Sequence, residues 1–205
     1  MTDHGKPLRE QDVAADPLSQ FAAWEHDARE AGLRMPEAAA LATASREGVP
    51  SLRMVLVKGF DEHGFVFFSN YTSAKGRELE HNPHAALMFY WDELGRQVRI
   101  SGSVTRTSAA ESDAYAHSRP RGSQLSALAS PQSQPVESRA VLERRVAELS
   151  EQFGDGELPR AEHWGGYRVA VESVEFWQQR SDRLHDRLRY RRGDGEDWVI
   201  ERLAP

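Results

Sequence analysis

The sequence predicts an α+β domain, a closed or split β-barrel that is mainly antiparallel and carries helices at its periphery. Short segments rich in β-branched and aromatic residues, such as RMVLV, FVFF and MFYW, follow one another with turn sequences between them. Only a few helical patterns stand between and around these segments, and no internal repeat is visible. A chain of 205 residues is long enough to bury roughly 70% of its unfolded surface, so one core needs no staples.

Residues 1–15 are polar and without periodicity, and read as a flexible arm unless something ties them down; residues 16–205 read as a single domain. Asp16 suits an N-cap and Pro17 the first helical position, and Leu18, Phe21, Trp24 and Ala28 recur at helical spacing until Gly32. AAALATAS, SLRMVLVKGF and FVFFSN then read as strands in hairpin succession around REGVP and DEHG. SAKGRELEHNP reads as a short helix capped by Ser73 and stopped by Asn82-Pro83. HAALMFYW and RQVRISGSVTR continue the β pattern around DELG, and Ser108 with Glu111 has capping-box spacing before a helix ending near Arg119-Pro120. The Ser-, Gln- and Pro-rich RPRGSQLSALASPQSQPVES reads as a functional loop, followed by a longer helix with Val141, Leu142, Val146 and Leu149 on its apolar side. GGYRVAVESVEFW, DRLHDRLRYRR and DWVIERLAP read as three further strands.

A formal charge of −6 argues against a surface devoted to nucleic acid, so basic clusters serve local purposes. The absence of cysteine excludes disulfides, thiolate nucleophiles, Fe–S clusters and Cys-based zinc sites. No apolar signal region opens the chain, and nowhere do about 18 apolar residues run together. The expectation is a cytoplasmic protein without a membrane span. Eight scattered histidines show no metal-ligand spacing, and neither a G-x-S-x-G elbow nor a Walker A loop is present.

The most unusual stretch is RSDRLHDRLRYRR, with six arginines and a histidine. If it is extended throughout, Arg183, His185, Arg187, Arg189 and Arg191 share one face and Leu184, Leu188 and Tyr190 the other. Such a face suits phosphate or carboxylate, because each guanidinium donates two parallel charge-assisted hydrogen bonds. A solvated strand edge guarded against aggregation would carry the same charges. Regular alternation puts Arg53 and Lys58 on opposite faces of their strand, while Ser73 and Lys75 stand at a helix start, where an anion is favoured.

Read together and in order, RMVLVK, FFSNYTSAKGREL, RQVRISG, HSRPRGSQ, SPQSQ, WGGYRV and EFWQQRSDRLHDRLRY with a terminal RLAP resemble the pyridoxine/pyridoxamine 5′-phosphate oxidase family, from about residue 16 to the C-terminus. The resemblance implies an FMN-binding split β-barrel that works as a homodimer with each flavin in the subunit interface. It implies that Arg53, Met54, Val55, Leu56, Val57, Lys58, Phe68, Ser69, Lys75, Gln97, Gln132, Ser133, Trp177 and Arg187 hold FMN. Lys58, Tyr115, Arg119 and Ser123 would take the substrate phosphate, with Arg183 and His185 as the catalytic pair at the reacting end of the pyridine ring. The implied reaction moves a hydride from the 4′ carbon of pyridoxine or pyridoxamine 5′-phosphate to FMN, with molecular oxygen as final acceptor and hydrogen peroxide as product.

Two departures accompany the resemblance. Ala74-Lys75 stands where the family carries an Arg-Lys pair, removing one phosphate contact, and MTDHGKP has no counterpart of the family's arginine- and tyrosine-bearing N-terminal segment. Related oxidases of phenazine biosynthesis share the barrel and an RLH-type motif but lack the phosphate set that Lys58, Tyr115, Arg119 and Ser123 supply here. A non-catalytic FMN or pyridoxal 5′-phosphate module would be marked by loss of Arg183 or His185, and both are present.

Overall fold

The computed structural model describes residues 6–193, 195 and 197–205. Strands β1 (Ala38–Ala44), β2 (Pro50–Asp61) and β3 (Gly64–Asn70) form successive antiparallel hairpins. The first turn holds Gly48 at φ +82°, a left-handed conformation that is strained for a residue with a Cβ. Helix α2 (Ala74–His81) leads to β4 (His84–Trp91), which pairs with both β1 and β5 (Arg96–Arg106).

Closure depends on β5. Its first part, Arg96–Ser101, pairs with β7 (Ser173–Gln178), and Val104–Arg106 pairs with β6 (Trp164–Val169). Because β6 also pairs with β3, the strands β1, β2, β3, β6, β5 and β4 close a barrel. Strands β8 (Asp186–Arg192) and β9 (Trp198–Arg202) continue outward from β7. Every pairing is antiparallel, which is the split barrel the sequence predicts.

Strict alternation on β4 sends Ala85, Leu87, Phe89 and Trp91 inward and leaves Ala86, Met88 and Tyr90 outside. Helix α1 (Pro17–Glu30) begins as expected, with the Asp16 carboxylate accepting from the N–H groups of Leu18 (3.1 Å) and Ser19 (2.8 Å). This start seats Phe21 in the core, its ring centroid 4.9 Å from those of Phe60, Phe65 and Phe89. Burying such a ring contributes about 1.5–3 kcal/mol.

The remaining helices are α3 (Ala109–Ser118), α4 (Arg121–Ala129) and α5 (Arg139–Phe153). Helix α4 corrects the sequence reading, since it occupies most of the first half of the segment expected to be a loop. Its fully buried residues are Leu125 and Ala129, with Ala127 and Leu128 partly buried, among serines that mimic loop composition.

The C-terminal strands differ from expectation in two respects. GGYRVAVESVEFW is two strands, broken at residues 170–172, where Ala170 and Glu172 donate to Ser103 and Ser101 as β5 changes neighbours. The arginine stretch is not extended from Arg183: Ser181–Arg183 form a 3-10 turn in which Asp182 (φ +56°) and Arg183 (φ +62°) are left-handed, and β8 starts only at Asp186. The expected five-residue basic face therefore shrinks to Arg187, Arg189 and Arg191. These are paired with carboxylates, Arg187 with Glu175 at 2.8 Å and Arg189 and Arg191 with Glu201 at 2.7 and 2.6 Å, so the face does not act as one open anion site.

The described part of the N-terminal arm is tied down. Leu8 is buried and its N–H donates to Asp186 Oδ2 at 3.1 Å, Arg202 donates to the Leu8 carbonyl and the Glu10 carboxylate, and Tyr190 Oη donates to the Ala14 carbonyl at 2.7 Å. Residues 1–5 of that arm lie outside the described residues.

Candidate active site

A cavity of about 430 Å³ opens between β2, β3, the start of α2 and the α3–α4 corner. Of the residues proposed from the sequence it gathers Met54, Val55, Leu56, Lys58, Phe68, Ser69, Lys75, Tyr115, Arg119, Ser123 and Gln132. On β2 a register irregularity between Val57 and Gly59 interrupts the pairing with β3 beside Lys58. Val57 itself points into the barrel core, so only its backbone is available to a ligand.

The floor is an aromatic shelf. Tyr115 stacks on Phe68 with centroids 3.9 Å apart, and Phe68 stacks on Trp164 at 5.6 Å. The Arg119 guanidinium lies 4.6 Å above the Trp164 ring. Burial lowers the Arg119 pKa and raises that of Tyr115. Trp164 and Pro120 also line the cavity, and the sequence reading assigned neither. The signal for Trp164 was its place in WGGYRV: a Cβ at Gly165 would collide with the Tyr71 hydroxyl, so the glycine lets this strand approach closely.

At the deep end Lys75 is buried, and its ammonium donates to Gln132 Oε1 (3.0 Å), Ser69 Oγ (3.1 Å) and Ser73 Oγ (3.4 Å). Burial, and then the Arg53 charge, hold its pKa below the ordinary 10.5. The local fold explains the arrangement. Asn70 Oδ1 accepts from Thr72 N at 2.8 Å, which turns the chain after β3, and Ser73 caps α2 by accepting from Gly76 N at 3.3 Å. Asn70 Nδ2 donates to the Ser130 carbonyl at 3.4 Å and ties this turn to the segment carrying Gln132.

Arg53 does not line the cavity wall. Its guanidinium is held by Glu78 at 3.0 Å and by close hydrogen bonds to Thr43 and Ser51. Burial raises the Glu78 pKa, but hydrogen bonds from Thr43, Ser51 and Arg53 outweigh it and keep the carboxyl below 4.5. Ser133, next to Gln132, is exposed and left-handed at φ +69°.

Gln97, Trp177, Arg187, Arg183 and His185 form no part of this cavity's wall. Strand register puts Gln97, Trp177 and Arg187 side by side across β5, β7 and β8, and the His185 ring lies 4.6 Å from that of Trp177. Arg187 also donates to the Ala204 carbonyl at 2.8 Å. Beside this row runs an apolar outer face, on which Leu52 and Met54 flank Ala42 and Ala40, which flank Ala86 and Met88. Leu52, Met54 and Met88 are exposed, and a second hollow of about 680 Å³ extends from Leu52 to Arg187.

Comparison with known proteins supplies the context for this arrangement. Residues 25–153 match the model of the Pyridoxamine 5′-phosphate oxidase family, and residues 164–205 match the Pyridoxine 5′-phosphate oxidase C-terminal dimerisation region. The chain is 54% identical over 200 residues to the pyridoxine/pyridoxamine 5′-phosphate oxidase of Salinibacter ruber, covering 97% of this chain and 93% of the relative. It is 56% identical over 198 residues to the protein of the same name from Rubrobacter xylanophilus, covering 97% and 91%. The crystal structure of PhzG from Burkholderia lata 383 in complex with tetrahydrophenazine-1-carboxylic acid matches over 100% of both chains, with a TM-score of 0.92 and 36% identity. With both family models in chain order and relatives matched along almost its whole length, this chain belongs to the pyridoxine/pyridoxamine 5′-phosphate oxidase family.

Proposed function

We propose that the protein oxidises pyridoxine 5′-phosphate and pyridoxamine 5′-phosphate to pyridoxal 5′-phosphate with FMN as cofactor and molecular oxygen as acceptor. The observation that carries this reading is the cavity in which Lys58, Arg119 and Ser123 surround an aromatic shelf, a combination suited to a phosphorylated aromatic ring. The relative solved in complex with tetrahydrophenazine-1-carboxylic acid is 36% identical, against 54–56% for the two oxidases, and a substrate without phosphate would leave Lys58 and Arg119 without a counter-charge.

The donor set also fits FMN. Lys75 is a buried ammonium whose three acceptors are neutral oxygens, and Arg53 lies near enough to depress its pKa. A phosphate dianion would compensate the Lys75 charge, while Arg53 is already paired with Glu78, and Ser69 and Gln132 add polar contacts. Arg53 to Lys58, Phe68, Ser69, Lys75, Gln132 and Ser133 would hold the flavin from one copy. Gln97, Trp177 and Arg187 stand apart from the cavity, and a second copy seated on the apolar face of β1, β2 and β4 would bring its own set to it.

When bound, FMN would supply the hydride acceptor and the route for the electrons to oxygen, with hydrogen peroxide as product. The chain's residues do the rest. Lys58, Tyr115, Arg119 and Ser123 anchor the phosphate, and Arg183 and His185 fix the ring so that its 4′ C–H bond faces the acceptor. The alcohol also loses its hydroxyl proton to become the aldehyde, and the amine route releases ammonia after hydrolysis. The decisive experiment loads the purified protein with FMN, adds pyridoxine 5′-phosphate in air and follows pyridoxal 5′-phosphate and peroxide. Both products are expected in equal amounts; a flavin-loaded protein that makes neither would overturn the assignment.

A further inference from the structure

The connection 179–185 between β7 and β8 carries Arg183 and His185, and it is pinned at both ends. At the first, Gln178 donates to the carbonyls of Leu94 (3.0 Å) and Gly95 (3.1 Å), and Gln179 N–H reaches Gly95 at 2.8 Å. At the second, the Asp186 carboxylate accepts from Arg180 Nε (2.7 Å), Arg202 Nη1 (2.9 Å) and Leu8 N (3.1 Å). Arg180 and Asp186 are both largely shielded, with side-chain exposures of 11% and 18%, so this ion pair is screened much less than a surface pair. Between the pins Asp182 and Arg183 hold left-handed conformations, which aspartate tolerates but a long side chain such as Arg183 adopts at a cost that its surroundings must meet.

The same residue reaches back to the histidine. Arg180 N–H donates to His185 Nδ1 at 3.1 Å. A backbone N–H can only donate, so Nδ1 must offer its lone pair, and the neutral imidazole then carries its proton on Nε2. The Trp177 ring, 4.6 Å away, packs beside the imidazole and limits its rotation.

We propose that Arg180 is a positioning residue: its main-chain N–H fixes His185 as the Nε2–H tautomer, and its guanidinium, clamped to Asp186, holds the left-handed turn that presents Arg183. His185 then offers the substrate a hydrogen-bond donor at Nε2 and does not take a proton there. The N-terminal segment takes part from behind, because Leu8 and Arg202 complete the shell around Asp186 and Arg202 also holds Glu10. This inference rests on the reading above, in which Arg183 and His185 touch the substrate.

The test combines ring-nitrogen NMR with kinetics on the FMN-loaded protein. Long-range proton–nitrogen spectra of 15N-histidine-labelled protein, assigned with His185→Gln, are expected to show His185 protonated at Nε2; a ring protonated at Nδ1 would overturn the proposal without any activity measurement. Arg180→Ala keeps the main-chain N–H but loses the clamp. It is expected to retain flavin and to lower kcat roughly 10- to 100-fold with little change in KM. Arg180→Lys is expected to restore part of kcat. Equal kcat in Arg180→Ala and the parent, or a loss that lysine leaves unrelieved, would refute the clamp. A parent enzyme without turnover would instead count against the assigned reaction, and the tautomer spectrum would still decide the proposal.

Discussion

Lys75 shows how one residue sets a property of the site. Its ammonium is held among Ser69, Ser73 and Gln132, and burial first, then Arg53, keep its pKa below 10.5. Only the protonated form attracts a phosphate, so affinity for FMN should be greatest where Lys75 is protonated. It should fall as pH rises through the lowered pKa, earlier than an ordinary lysine would dictate. Fluorescence titration of FMN across pH checks this. In Lys75→Met the alkaline limb assigned to this residue should vanish and affinity below that limb should drop roughly 10- to 100-fold, the value of one charge-assisted hydrogen bond. Unchanged affinity would remove Lys75 from the phosphate site. The lysine, its helix-start position and the neighbouring Ser73 were legible in SAKGRE, but its contact with Gln132 was not, because Gln132 lies 57 residues away in sequence.

Among the elements, α2 is the one whose start bears most directly on the site. Ser73 Oγ accepts from Gly76 N, donates to the Asn70 carbonyl at 2.7 Å and lies 3.4 Å from Lys75 Nζ. Ser73→Ala should cost about 0.5–2 kcal/mol of stability, the usual penalty for a lost cap, and lower the melting temperature accordingly. A melting curve superimposable on the parent's would refute the cap's contribution. This helix was predictable because cap, length and stop are all local. Helix α4 was not, since its two buried residues, Leu125 and Ala129, give too short a periodic signal among serines. The 3-10 turn before β8 escaped for a related reason: alternating charge in DRLHDR continues the strand pattern, and only the Asp186 clamp and the pairing of β7 with β8 fix where extension begins.

Across the whole molecule, the outer face of β1, β2 and β4 gathers several exposed large apolar side chains. Leu52 is 68% exposed and Met54 64%, and they lie across Ala42 and Ala40 from Ala86 and Met88. Contiguous apolar surface of this kind marks an interaction site, and residues 164–205 match the family's dimerisation region. Leu52→Glu buries a charge in the proposed contact and should shift sedimentation from dimer to monomer, with flavin retained less tightly. A variant that sediments as the parent does would place the contact elsewhere.

The sequence by itself determined the order of most elements, the caps at Asp16, Ser73 and Ser108, and the motifs that mark the family, because each is written in residues close together along the chain. It also named most of the cavity lining through that resemblance. The tertiary structure alone decided which strands close the barrel, since β5 divides its edge between β6 and β7. It also decided which arginines are neutralised, because Glu175 and Glu201 meet Arg187, Arg189 and Arg191 only through the register of β7, β8 and β9. The joining of Arg202 to Glu10 across 192 residues is likewise set by long-range packing. Local patterns fix conformation, but charge pairing and closure depend on partners that folding brings together, and no short window of sequence contains both.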